Sequence, residues 1–254
     1  MKKLIYWMLL IPILAVSQSN ESYAVVENSM ITANPAKIKE FEAGIAKHNK
    51  KFHAIGAYGA RVYYINNGIN TGKYIWSMGP LPWSDFDKRP ENKEHDDDWN
   101  ANVLPYIMAE GETTYWKFEA KHSHFPKDFA LKKLVVDVYD IKRFDRSKAL
   151  KLLEQVHKVM VEKMPTETFA IYTNEFSNTF DGKDLAYVSF FDKSSWLGED
   201  NDFPKKYDAV FGEGSFAHFL KDWEEVSLGS QTELWNLRPD LSGLNAEVKA
   251  TDRK

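Results

Sequence analysis

Tyr74-Ile75-Trp76-Ser77-Met78-Gly79-Pro80-Leu81-Pro82-Trp83 is an aromatic strand that runs into a Pro-bounded loop and ends on a Trp. Aromatic and β-branched side chains suit a pleated, half-buried surface, and Gly-Pro is expected to interrupt the ladder because Pro has no N–H to donate. The pattern returns at Tyr187-Val188-Ser189-Phe190-Phe191-Asp192-Lys193-Ser194-Ser195-Trp196, with 113 residues separating both the leading Tyr pair and the closing Trp pair. A strand and its exit loop recurring at one spacing point to a single unit used twice.

Reading outward, Asn66-Asn67-Gly68 before the first copy and Asp181-Gly182 before the second are turn signals, since Asn, Asp and Gly accept positive φ at low cost. Ahead of each turn lies a strand, 60–65 in the first unit and 169–173 in the second. Ahead of that lies a helix. Asn34-Pro35 starts the first, with an Asn cap and Pro at the first helical position. Ile38, Phe41, Ile45, His48 and Phe52 follow at helical spacing on one face. Asp145 or Ser147 caps the second, whose apolar face carries Ala149, Leu152, Leu153, Val156, Met160 and Met164. Strands 23–32 and 134–139 open the two units, and strands 113–118 and 231–237 close them. A helix carrying Trp99 and Val103 precedes the first closing strand. Helices over 203–211 and from Ser215 onward precede the second.

The order is β-α-β-β-α-β, twice. Such a unit is ferredoxin-like: an antiparallel sheet with both helices on one face. The other face needs cover, and two units in one chain cover each other. The expected fold is therefore α+β, two ferredoxin-like repeats packed as an internal pseudo-dimeric α+β barrel. The boundaries are 18–120 for the first repeat, 121–130 for a linker, 131–241 for the second repeat and 242–254 for a polar tail. Trp83 and Trp196 are expected to be pseudo-symmetric structural anchors. Gly72-Lys73 and Gly182-Lys183 also match, at an offset of 110, which would pair Trp76 with Ala186. An odd difference between two registers exchanges the faces of a strand, so which aromatic residues point inward stays open here.

The chain has 254 residues, of which 43% are hydrophobic and 14% aromatic, enough for a substantial core. It has no Cys, which excludes disulfides, thiol catalysis and Cys-type zinc sites. Lys2 and Lys3 followed by an apolar run from Leu4 to Val16 read as a secretory signal peptide over 1–17, with cleavage before Gln18. The run is too short to span a bilayer. The mature protein is expected to be secreted or periplasmic, without a membrane span. Removing Lys2 and Lys3 from 33 basic residues against 37 acidic ones leaves a formal charge of −6. That balance excludes a nucleic-acid footprint.

No Gly-x-Ser-x-Gly, phosphate loop, dinucleotide fingerprint or His-Glu-x-x-His is present, which sets aside familiar hydrolase, kinase and dehydrogenase chemistry. His122-Ser123-His124 has strand spacing that would place both rings on one face, and with a carboxylate such as Glu119 the two candidates His122 and His124 could bind zinc or copper, but no fourth ligand is visible by spacing, so no metal is assigned. Glu91, Glu94, His95 and Asp96 to Asp98 read as a solvated loop running into the acidic first turn of a helix. His48, on the apolar face of the first helix, has Val159 as its counterpart in the second, so a site there would be asymmetric. Its structural reading is a half-buried ring near free carbonyls at the helix end.

The paired helices, the two turns and the Trp83/Trp196 match resemble the tandem ferredoxin-like α+β barrel superfamily, with an NIPSNAP-like or antibiotic-biosynthesis-monooxygenase-like arrangement. The resemblance covers roughly residues 23–241 in element order. It implies a pocket between sheet and helices. It also implies two alternatives of activity, a cofactor-independent oxygenase or a haem-binding or haem-degrading enzyme, the latter with His48 as the helix-borne ligand. The residues themselves favour binding of a small apolar or aromatic molecule, with His48, Tyr63, Tyr74 and Trp76 as candidate ligand-binding residues. A plain structural or interaction module is the remaining reading.

Overall fold

The computed structural model describes residues 23–125 and 128–248; the expected signal peptide lies outside them. The first unit runs β1 (Val25–Ala33), α1 (Ile38–Phe52), β2 (Ala60–Ile65), β3 (Tyr74–Leu81), a short α2 (Trp83–Phe86), α3 (Lys93–Asn102) and β4 (Ile107–Phe118). The second runs β6 (Lys133–Ile141), α4 (Arg146–Lys163), β7 (Thr168–Asn174), β8 (Leu185–Phe191), α5 (Phe203–Phe211), α6 (Ser215–Val226) and β9 (Ser227–Leu237). Two short strands, β5 (Phe129–Ala130) and β10 (Glu247–Val248), lie outside this repeat. Among the described residues no helix is long and apolar enough to cross a membrane.

Asn34 accepts the N–H of Ala36 at 3.0 Å and starts a 3-10 turn that leads into α1. Phe41, Ile45 and His48 of α1 are buried, whereas Ile38, placed on the same face by spacing, is exposed. The second unit follows its pattern, with Ala149, Leu152, Leu153 and Met160 of α4 buried.

The strands form one closed barrel in the order β1-β3-β2-β9-β6-β8-β7-β4. Each unit keeps the ferredoxin-like order within it, and two seams join the units. At one seam Tyr63, Tyr64 and Ile65 pair with Leu237, Asn236 and Trp235. At the other, Trp116, Lys117 and Phe118 pair with Asn174, Thr173 and Tyr172. The tandem α+β barrel expected from element order is thus the observed fold, closed by hydrogen bonds and not by face-to-face packing alone.

Closure determines which faces point where. Ile75 and Ser77 of β3 point into the barrel, as do Ala186, Val188 and Phe190 of β8. Tyr74, Trp76 and Met78 point outward into a core shared with Phe41 and Ile45 of α1. Leu185 and Tyr187 do the same towards α4 and α6. The odd spacing of 113 keeps these faces aligned between the repeats, and the spacing of 110 would reverse them.

The space between helices and sheet, where a pocket was expected, is packed. Phe41, Ile45, Tyr74, Trp76 and Met78 fill it in the first unit, and Leu152, Leu153, Ile171 and Leu185 fill it in the second. The hollow lies on the other face, inside the barrel. Eight strands leave an interior that only large side chains fill, and here Ser77, Thr114, Val136, Ala186 and Val188 are among those that point in.

The linker and the tail are structured where they are described. Phe129 and Ala130 pair with Val248 and Glu247, and the N–H of Leu131 donates to Ala246 O at 2.8 Å. Phe125, Phe129, Ala246 and Val248 pack on the core cluster of the barrel interior. The tail is therefore tied down as far as Val248.

Candidate functional site

The barrel encloses a cavity of about 1600 Å³. Its middle is apolar, with Val26, Met30, Ile75, Trp116, Val188 and Trp235 among the lining residues. Alternation puts these side chains there: every second residue of each strand faces the same way. Small-molecule sites have this character, mostly aromatic and aliphatic with a few polar atoms.

The polar atoms are specific. Asn28 Oδ1 is buried with no partner among the described residues. Tyr63 and Tyr172 line the chamber from β2 and β7, and neither hydroxyl has a hydrogen-bond partner among the described residues. Burial pushes the Tyr63 hydroxyl up to about 12 and raises that of Tyr172 as well, so both are neutral donors. Glu233 is buried and its carboxylate is fully engaged. Oε1 accepts from Asn70 at 2.7 Å and Gln231 at 2.6 Å, and Oε2 accepts from the indole of Trp235 at 2.8 Å. It holds Trp235 in place against the ring of Tyr63, 6.0 Å away between centroids. At the same end of the barrel Lys183 forms an ion pair with Glu112.

Of the four residues named from sequence, Tyr63 alone lines the chamber. Tyr74 donates its hydroxyl to Glu42 Oε1 at 2.7 Å on the helix side. Trp76 donates its indole N–H to Asn49 Oδ1 at 3.0 Å, also beneath α1. Asn49, fully buried, in turn donates to Leu241 O at 2.7 Å. Asn28 and Tyr172 were not singled out. Strict alternation along β1 and β7 was the available signal, but it does not say which of two apolar faces is hollow.

His48 lies in a different place and in company. Its ring is almost wholly buried and its Nδ1 donates to Asp98 Oδ2 at 2.9 Å, so it meets a carboxylate and not the helix-end carbonyls. Burial lowers its pKa against the pull of Asp98. His53, just past α1, donates from Nδ1 to Tyr58 O at 2.7 Å and is pushed by burial down to about 4. His95, from the first turn of α3, joins them. The three ring centroids stand 4.7, 5.3 and 5.3 Å apart. The run expected to be a solvated loop and first turn is a helix from Lys93, but His95 and Asp98 turn inward from it. Residue Gly44 makes this approach possible, since a Cβ there would fall 1.8 Å from Asn102 O at the end of α3.

His122 and His124 do not share a strand face. His122 ends a 3-10 turn, and His124 bonds Pro165 O at 2.9 Å through Nε2. Nor does haem fit His48. The rings of Phe52, His53, His95 and Trp99 surround it at centroid distances of 4.7 to 5.3 Å, leaving no slot for a macrocycle. The barrel chamber is lined by no histidine among the described residues.

Trp83 and Trp196 both donate an indole N–H to a Glu, at 3.2 Å to Glu175 and 2.9 Å to Glu167. Their partners are not equivalent. Trp83 reaches into the second unit, where it also meets Phe176, whereas Trp196 stays within its own and stacks on Phe191.

No protein-family model and no curated protein sequence matches the chain. Solved structures do. A candidate monooxygenase from Fusobacterium nucleatum superposes with a TM-score of 0.54 at 9% identity, over 85% of this chain and 93% of that one. An anthrone oxidase-like protein gives 0.52 at 11% identity, over 92% and 96%. A mutant chlorite dismutase from Candidatus Nitrospira defluvii gives 0.50 at 7% identity, over 85% and 92%. The fold is the tandem ferredoxin-like α+β barrel. Both repeats and the closed ring of this dimeric α/β-barrel architecture are covered by these likenesses, which extend to fold alone.

Proposed function

We propose that this chain is an exported binding protein that holds a small, flat, mainly apolar molecule inside its α+β barrel. The observation that carries the reading is the chamber of about 1600 Å³, apolar in its middle and furnished with an unpartnered Asn28 Oδ1. A buried polar atom without a partner costs free energy that a ligand's donor recovers. Tyr63 and Tyr172 offer two hydroxyl donors to an acceptor on the same molecule. An aromatic compound with one donor and one acceptor at its rim fits this set. Thermal-shift and native mass-spectrometry screening of such compounds tests the reading. The expected result is a retained or stabilising compound whose effect disappears in Ala186→Trp, which fills the chamber from β8. A screen without any stabilising compound, or one whose hits bind Ala186→Trp equally well, rejects it.

A further inference from the structure

We propose that His48, His53 and His95 bind one divalent transition-metal ion, with zinc the fitting probe, at a site between α1 and α3 that is separate from the barrel chamber. One ring nitrogen of each lies within 4.8 Å of the others.

Hydrogen bonding prepares all three rings alike. Asp98 Oδ2, Tyr58 O and Asp96 Oδ1 each stand 2.7 to 2.9 Å from an Nδ1. A carbonyl or carboxylate oxygen accepts only, so each Nδ1 carries the proton and each Nε2 of a neutral ring presents a lone pair. Metal-bound imidazoles show this outer arrangement, the far N–H given to a carboxylate or backbone carbonyl. Two consequences are visible. His48 Nε2 is buried without a partner. His53 Nε2 and His95 Nε2 stand 3.2 Å apart, where two lone pairs repel unless a cation lies between them.

The spacing also fits. Zinc–nitrogen bonds of about 2.0–2.1 Å at tetrahedral angles put ligand nitrogens about 3.3 Å apart and ring centroids about 5.2 Å apart. The observed centroid distances of 4.7, 5.3 and 5.3 Å bracket that value, and binding contracts the wider nitrogen spacings. Asp96 and Asp98 supply two negative charges beside the cation. The His95 side chain is 33% exposed, so solvent reaches the site and a water can complete the shell. Three protein ligands with an open fourth position is the pattern of a zinc ion able to act as a Lewis acid.

The test uses untagged, chelator-stripped full-length protein, dialysed against zinc and assayed by mass spectrometry of the metal. One zinc per chain is expected. His95→Gln, the most exposed of the three positions, abolishes it, and Asp98→Asn weakens binding about 10- to 100-fold. A His122→Gln/His124→Gln double variant retains it. Cobalt added to the unaltered protein gives the intense visible bands of a four-coordinate ion, which serves as a readout even where a variant folds poorly. Background zinc in the unaltered protein, binding unchanged by His95→Gln, loss in the double variant, or a six-coordinate cobalt spectrum each overturns the assignment.

Discussion

His53 Nε2 stands 3.2 Å from His95 Nε2, although one residue follows α1 and the other belongs to the first turn of α3. Their approach is set at the opposite end of the helix pair, where Gly44 lets the backbone of Asn102 come closer than any side chain permits. Gly44→Ala forces the helices apart. Overpacking of this kind costs about 1–3 kcal/mol, and urea denaturation is expected to show a loss in that range. At the proposed metal site the same variant is expected to bind zinc more weakly, although it alters none of the three histidines.

Asn49 couples the turn that follows β9 to the central aromatic strand. Replacing it by Ala leaves Leu241 O and the indole N–H of Trp76 unpaired in a buried setting. At about 1–3 kcal/mol for each orphaned group, a loss of roughly 2–6 kcal/mol is expected in chemical denaturation. Asn49→Asp keeps the acceptor for Trp76 and loses the donor to Leu241, so it is expected to be destabilised through that contact and through a buried charge.

Tyr63→Phe and Tyr172→Phe separate binding from folding. Neither hydroxyl has a hydrogen-bond partner among the described residues, so each variant is expected to hold its melting temperature to within about 0.5 kcal/mol of stability. Affinity for a chamber ligand that accepts a hydrogen bond falls about 5- to 10-fold, in line with the net worth of about 1 kcal/mol for one such bond. Calorimetric titration beside a melting curve reads both.

Acid stability is expected to depend on Arg238. Its guanidinium donates to Glu42 Oε1 at 2.6 Å and to Asp240 Oδ2 at 2.7 Å. The Arg238 hydrogen bond is the main cause that holds each carboxyl below its ordinary value, 4.5 for Glu42 and 3.8 for Asp240. A depressed value in the folded state means stabilisation that is complete above the ordinary value and is lost as pH falls through the folded one. Melting temperature should therefore drop between about pH 5 and pH 3, and Arg238→Met should flatten that part of the curve. A slope unchanged in the variant would assign the acid sensitivity to other groups.

The duplicated unit was legible because it is written locally. The Asn34-Pro35 start, the two Gly turns and the helical and strand periods each depend on a few neighbouring residues. The faces were less legible. Tyr74 and Trp76 are aromatic because a helix packs on them, whereas Ile75 and Ser77 between them line the chamber, and only closure of the ring separates those roles. His95 and Asp98 were hidden for a related reason. In a run of charges they read as solvated, and their burial comes from contact with residues far earlier in the chain, His53 just past α1 for His95 and His48 within α1 for Asp98, 42 and 50 residues away. Nothing in the spacing of His48, His53 and His95 states that contact.

The two seams between β2 and β9 and between β4 and β7 join segments of a single polypeptide. A chamber built from two separate chains would open on dilution, its integrity tied to protein concentration by mass action. Here assembly is unimolecular. The hollow therefore persists at any dilution, because no second copy of the chain is needed to close the ring of strands.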